Sequence, residues 1–333
     1  MKKISLISFV ISLMTVIPTS CTLHEYPEGA GEDPTEVIVN ATLNLKLKLP
    51  QRDEYQPTSG RPISDYSHRF VIEAVGESYR TEERQEIFVP DDGTETELFV
   101  PVNMRLHARN YKLMVWSDYV RTDEPEKDLF YDVETLTPVL PVKSYIANTD
   151  YKDAFDALAE LDLRPYASSW QEKVMIDVEL VRPVGRYELI TTDVAAFQRR
   201  VASGMINGTT FTARLRYAGY IATGYNVMEQ TPKNMLNFIS YQSRLSNVTT
   251  TEEHELRIAF DYIMCTPEGT IIPAELEIIN ENNEIVSNCP INIQMQAGYN
   301  TTIKGRFLTV SSEGGVNVDP DYDGTLHVDL GIL

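Results

Sequence analysis

Asp319-Pro320-Asp321-Tyr322-Asp323-Gly324 comes closest to a site motif in this chain. Three carboxylates at alternate positions followed by glycine match the opening of a calcium loop, where glycine allows the sharp turn. The match then stops, because Leu330 stands where the bidentate glutamate belongs. A rigid proline and an acidic turn before a final strand account for the same residues. Asp319, Asp321 and Asp323 are therefore weak calcium candidates, and no metal or other cofactor is expected. His24, His68, His107, His254 and His327 are scattered without partners at metal spacing. His-Glu-x-x-His, paired zinc-type cysteines, Gly-x-Ser-x-Gly, a P-loop and Gly-x-Gly-x-x-Gly are all absent. Acid pairs such as Asp91-Asp92 arise by chance in so acidic a chain. No catalytic residue is nominated, and no enzyme activity is expected.

The second piece of chemistry is covalent. Lys2 and Lys3 precede an apolar run, Ile4 to Ile17, that is too short to span a bilayer. Pro18-Thr19-Ser20 then places small, turn-prone residues before Cys21, as at the end of a bacterial lipoprotein signal. Residues 1–20 read as the signal peptide. Cleavage would leave Cys21 as an N-terminus carrying acyl chains, palmitate among them, on sulfur and amine. Several chains anchor far better than one. Pro18 departs from the usual leucine three residues before the cysteine, and simple secretion is the alternative. Cys265 and Cys289 remain. An oxidising compartment permits a disulfide between them, and two buried thiols behaving as small hydrophobes are the equal alternative.

The whole chain of 333 residues has 29 basic and 49 acidic side chains, a formal charge of −20. Removing residues 1–20 takes two lysines and no acids, so the mature balance is 27 against 49, or −22. That excludes a phosphate-binding surface and a polybasic membrane patch, so no nucleic-acid partner is expected. About 310 mature residues fit two domains of ordinary size, and 18 tyrosines with many β-branched residues favour strands.

These residues need a scaffold. Residues 21–36 are acidic, with proline and glycine and little to bury, and read as a flexible tether. Val37, Val39, Ala41, Leu43, Leu45, Leu47 and Leu49 then alternate with Ile38, Asn40, Thr42, Asn44, Lys46 and Lys48, the clearest strand in the sequence. Pro50 stops it, and a loop runs from Gln51 to Ser67. Further strands are expected over 69–75, 95–103, 111–120 and 174–181, then 185–191, 210–217, 256–265, 272–279, 291–296, 301–310 and 325–330. Two helices are expected. One is Asp150–Leu163, with Ala154, Leu158 and Leu161 at helical spacing. The other has Asp193 as N-cap, Ala195–Val201 as body and Gly204 just past its end. Arg182-Pro183 makes a seam. The expectation is all-β with minor helix, two tandem sandwiches over 37–182 and 183–333. Trp116 in Tyr111–Tyr119 is read as core, with a carbohydrate platform as the alternative. The sequons at Asn40, Asn207, Asn247 and Asn300 are read as ordinary turn and strand residues.

Five stretches, in this order, resemble the FimA/FimB-type fimbrial lipoproteins of Bacteroidales, particularly the FimB-like anchor group. They are Asn110 to Tyr119 with its Trp-x-Asp, Lys152-Asp153-Ala154-Phe155, Arg182 to Leu189 followed by Asp193, Tyr217 to Val227, and Asn300 to Gly305. Glu25, Glu28, Glu32 and Asp33 also loosely resemble the surface-export signals of Bacteroidales lipoproteins. The resemblance spans most of the mature chain. It implies two transthyretin-like sandwich domains, a lipidated precursor, and assembly with other fimbrial subunits into surface filaments by donated strands. It implies no catalytic residues. The chain would sit at the cell surface, held in outer-membrane lipid through acylated Cys21.

A sandwich lacking one strand exposes backbone donors and an apolar groove that a neighbour's strand can fill. Val37–Leu49 is the candidate exchangeable strand. Arg52 and Arg61 follow in a loop that the resemblance marks as protease-sensitive, since polymerising members are cut there by an arginine-specific protease. Ordinary solvated loop residues are the favoured reading of both arginines. Only three residues follow the last expected strand, which favours an anchor or accessory subunit over a stalk subunit. The rival reading is a surface lipoprotein that binds glycan or another ligand through a sandwich face, with Trp116, Tyr217, Tyr220 and Tyr225 as the platform.

Overall fold

The computed structural model describes residues 37–49, 63–142, 145–169, 171–246, 248, 254–309 and, as backbone, 326–329. The first part of the chain carries β1 (Ile38–Lys48), β2 (Tyr66–Val75), β3 (Thr81–Pro90), β4 (Glu97–His107), β5 (Asn110–Arg121), β6 (Tyr131–Asp132), β7 (Leu140–Pro141), β8 (Phe155–Asp162) and β9 (Val174–Glu179). The second carries β10 (Val184–Thr191), α1 (Val194–Ala202), β11 (Phe211–Tyr217), β12 (Ile221–Asn226), β13 (Thr231–Leu236) and β14 (Ser240–Arg244). It ends with β15 (Leu256–Met264), β16 (Thr270–Asn280), β17 (Ile285–Met295), β18 (Tyr299–Gly305) and β19 (Leu326–Asp329).

β1 forms because its alternate side chains meet different surroundings. Val39, Ala41, Leu43, Leu45 and Leu47 are at most 1% exposed, while the intervening residues face outward. β1 takes the middle of the sheet β4-β1-β9, antiparallel to β4 and parallel to β9. The opposing sheet is β3-β2-β5-β8. Leu43 and Val102 from one sheet and Ile72, Leu113 and Phe155 from the other share a core. A second sandwich pairs β15-β10-β18-β19 with β14-β11-β16-β17 around Leu189, Leu215, Leu276 and Ile303, with Phe197 of α1 added. The chain is thus all-β, two sandwiches in sequence with a minor helical part.

A third apolar cluster joins the two sandwiches. Val71, Val75, Met114 and Trp116 pack with Tyr131, Val139, Val184, Tyr225, Phe260 and Met264. β2 is consequently buried along its whole length, because one face meets the sandwich core and the other meets this seam. The β12–β13 hairpin forms its own two-stranded sheet and is tied to the seam by the Val139–Tyr225 bridge.

Residues 150–163 are not helical as expected. Asp150–Lys152 is one 3-10 turn, with the Thr149 hydroxyl accepting from the Tyr151 amide, and β8 follows. Phe155, Ala157 and Leu161 also fit a period of two, and that face fills the first core while Leu158 packs on the seam. Pairing along Asn110–Ser117 of β5 satisfies one edge of β8, the Asp156–Val181 bridge adds to the other, and together with core burial they outweigh local helix preference. α1 lies where expected, and Gly204 follows it with φ +74°. Asp193, however, makes no side-chain cap. Its carboxylate instead accepts from Thr191 Oγ1 (2.5 Å), the Thr309 amide (2.8 Å) and Thr309 Oγ1 (2.6 Å). It pins the chain after β18 to the helix start. The charged β3 and the strands β12–β14 were not among the expected elements. In β3, β13 and β14 short apolar content and an exposed face leave no period to read, and β12 is buried on both faces.

Cys265 and Cys289 are free thiols, and no disulfide joins them. Cys265 packs in the second core, donates to the Ile263 carbonyl (3.1 Å), and its burial pushes the thiol up to about 12. Cys289 is half-buried on β17 opposite Leu276.

Candidate functional site

The candidate exchangeable strand sits in the centre of its sheet. Leu43 lies between Val102 of β4 and Ile176 of β9, and Leu45 between Val100 and Val178. On the outer face Thr42 Oγ1 donates to Asn103 Oδ1 and Asn44 Nδ2 to Asp177 Oδ1, both at 2.8 Å. Val37 and Leu49 at the two ends are half-buried, and the Leu49 amide donates to the Thr96 carbonyl (2.9 Å). Val39, Leu43, Leu45 and Leu47 each contribute about 1.5–3 kcal/mol of burial, so β1 holds its place by roughly 10 kcal/mol before the ladder is counted. At 1.4 kcal/mol per decade that is about seven decades. β1 does not leave unless something equivalent takes its place.

Cys21, Arg52, Arg61, Asp319, Asp321 and Asp323 lie outside the described residues, as does the Asn247 sequon. The aromatic platform does not assemble. Trp116, Tyr217 and Tyr225 are buried, and Tyr220 alone of the four is exposed. Trp116 stacks edge-on to Tyr131 in the seam, because β5 has a covered surface on both sides.

The seam also holds paired charges that spacing did not reveal. Asp261 on β15 accepts from Lys152 Nζ (2.7 Å), the Tyr262 amide (2.8 Å), Tyr217 Oη (2.8 Å) and Tyr145 Oη. The Tyr187 hydroxyl shares hydrogen bonds of 2.7 Å with those of Tyr217 and Tyr241, extending the network into the second core. Burial, and then the Asp261 charge, holds the hydroxyls of Tyr145, Tyr217 and Tyr241 well above the usual phenol range. Burial lowers Lys152, with Asp261 opposing. Arg182 Nε reaches both Asp153 oxygens, at 3.1 and 3.0 Å. Arg69 bridges Asp118 (2.9 and 2.7 Å) and Asp128 (2.6 Å). Burial opposes the Arg69 charge, but the two carboxylates outweigh it and hold the proton more tightly.

Asp156 is the exception. It is buried on β8 near Tyr225 and Gln230, and neither of its carboxylate oxygens has a partner at hydrogen-bond geometry. Burial pushes its carboxyl up to about 7, against the pull of Gln230 and Tyr225. Among the described residues no group of three or more His, Cys, Asp or Glu could hold a metal ion. No helix among them is long and apolar enough to cross a membrane.

Lys152, Asp153, Arg182, Arg69 and their partners are neutralised in pairs, so they can orient one sandwich on the other. Lys152, Asp153, Arg182 and Asp118 fall within the stretches that carry the family resemblance. Their partners Asp261 and Arg69 carry no local signal, since each pair is separated widely in sequence.

No curated protein matches the chain. Several solved structures are similar to it at low identity. A candidate adhesin from Bacteroides ovatus aligns with 12% identity and a TM-score of 0.44, over 80% of this chain and 88% of its own. A fimbrial assembly protein from Parabacteroides distasonis aligns with 11% identity and a TM-score of 0.36, over 80% and 92%. The fimbrial anchor protein Mfa2 from Porphyromonas gingivalis aligns with 9% identity and a TM-score of 0.39, over 79% and 90%. The chain itself belongs to the family of unknown function DUF6562, whose model matches residues 34–330.

Proposed function

We propose that this chain is a surface lipoprotein acting as an anchor or accessory subunit of a type V pilus-like fimbrium, joined to other subunits by strand exchange and to outer-membrane lipid through Cys21. The observation that carries the reading is the place of β1. It is an amphipathic strand in mid-sheet, with five side chains in the core and a neighbour on each edge. A cut anywhere between Leu49 and Ile63 would sever it from the strands it pairs with. Its loss would leave an apolar slot between β4 and β9 whose unpaired backbone groups fit another strand of the same alternation. With β1 retained, the sandwich is complete and caps a filament rather than extending it. The ordered sequence resemblance supports the same role, and catalysis has no part in it.

Immunogold microscopy of producing cells, with antibody against residues 183–333, tests the reading. Gold at filament bases, with filaments shed when Cys21 is replaced in Cys21→Ala, is the expected result. Gold along or at the tip of filaments would keep the assembly role and remove the anchor. Dispersed gold on cells without filaments would overturn the assembly role under those conditions.

A further inference from the structure

The chain passes from the second sandwich to the seam hairpin at one corner. Residues 218–220 link β11 to β12, and residues 237–239 link β13 to β14. The Tyr217 amide at the end of β11 donates to the Ile239 carbonyl of the second link (3.0 Å), and the Ala218 amide of the first donates to the Pro273 carbonyl on β16 (2.8 Å). Between them opens a cleft of about 350 Å³, within the ~300–1,000 Å³ of small-molecule sites. Tyr220 and Phe238 line it and are 64% and 91% exposed. Asn237 and Ser240 add polar groups, and Arg216 pairs with Glu275 at 2.7 Å.

Phe238 is anomalous on two counts. Its backbone has φ +57°, a region uncommon for any residue but glycine and an outlier for a bulky one. Its ring then lies almost wholly in water, so no core packing offsets the strain. Backbone strain of this kind concentrates at ligand clamps.

We infer that this corner cleft binds a neutral sugar ring of a glycan, with the ring stacked on Phe238. A pyranose offers an apolar face of C–H groups and a rim of hydroxyls that both donate and accept. An exposed aromatic plane meets the first. The second needs planar donors and acceptors together, and the Arg216 guanidinium, the Glu275 carboxylate and the Asn237 amide supply them. Glu275 takes one hydrogen bond at each oxygen, from Arg216 and from Asn288 Nδ2 (2.8 Å), which leaves acceptor capacity on both. Charge decides against an anion. Arg216 is already shared between Glu275 and Glu277 (3.0 Å), so an anionic ligand would face two carboxylates on a chain of net charge −20. An acyl chain would have to desolvate the same ion pair, which costs more than a single aromatic contact returns.

The assignment is independent of strand exchange and of Cys21. The test is direct binding of the immobilised full chain to hexasaccharides of glucose, mannose, galactose and xylose, with a sulfated heparin hexasaccharide as the anionic control. At least one neutral sugar should bind saturably and the heparin fragment should not. Tyr220→Ala and Phe238→Ala should weaken binding about tenfold or more. Phe238→Gly, which keeps the left-handed turn and removes the ring, should match Phe238→Ala, and Phe238→Trp should retain binding. Phe99→Ala, which removes another exposed ring on β4, should change nothing. No saturable binding by any neutral sugar at millimolar concentration, or binding unaffected in both Phe238→Ala and Phe238→Gly, would overturn the assignment. So would Phe238-dependent binding to phosphatidylethanolamine vesicles without any sugar binding.

Discussion

The slot that holds β1 and the seam between the sandwiches are both buried, yet they are built on opposite principles. β1 is retained by aliphatic side chains and a regular backbone ladder, contacts that any strand of the right alternation can make. The seam combines an apolar cluster around Trp116 with the Lys152–Asp261 and Arg182–Asp153 pairs, contacts that only one arrangement satisfies. Apolar burial is non-directional, whereas a buried ion that loses its partner is left stranded. One region therefore suits exchange of occupants, and the other suits a fixed orientation.

Breaking the seam should have the largest effect. Asp153→Ala leaves Arg182 buried beside Phe155 without its carboxylate, and should cost about 3–5 kcal/mol in urea unfolding. Converting Lys152 and Asp261 together to Met and Asn should cost much less than Asp261→Ala alone. Equal losses from the pair and the single variant would refute the account of the seam as a matched pair.

Leu43→Ala in β1 should cost about 2–5 kcal/mol by the same measurement. The sharper test is replacement. A chain lacking residues 37–49 should regain stability when a peptide of the β1 sequence is added, while no peptide should rescue Asp153→Ala. Failure of the β1 peptide would remove the distinction between the two regions.

Asp156 gives the seam a pH dependence. Its folded pKa of about 7 lies above the ordinary carboxyl value of 3.8, so the folded protein binds the proton more tightly than the unfolded chain. This contribution favours folding most at low pH, is lost as pH rises from about 4 to 7, and stays lost above that. Asp156→Asn should raise stability at pH 8 by up to about 4 kcal/mol and flatten that part of the profile, read from thermal melts across pH. A steeper profile in the variant would assign the titration elsewhere. The smallest effect belongs to the outer face of β1. Thr42→Ala removes one exposed hydrogen bond to Asn103 and should cost no more than about 1 kcal/mol.

Much of the scaffold was legible in the residues. The alternation of β1 and the burial of Trp116 followed from periods that local patterning reports faithfully. The sites were less so. Phe238 carries no local signal because Met235-Leu236-Asn237-Phe238-Ile239 has no period, and only the turn geometry shows that its ring points into solvent rather than core. The rival aromatic platform failed because Trp116 and Tyr225 are buried in the seam and Tyr217 in the second core, which leaves Tyr220 by itself at the surface.

By itself the sequence determined β1, most of the long strands, the helix from Val194 and its glycine stop, since each depends on neighbours a few residues away. It also determined the excess of acids, 49 against 29 basic side chains. Tertiary structure alone decided that residues 155–162 are a strand, that both thiols stay free, and that Asp193 ties down the chain after β18 instead of capping its helix. It alone placed Lys152 on Asp261, 109 residues away, and Asp153 on Arg182, 29 away. A charge's buried partner is set by which sheet faces which, and that geometry has no period along the chain.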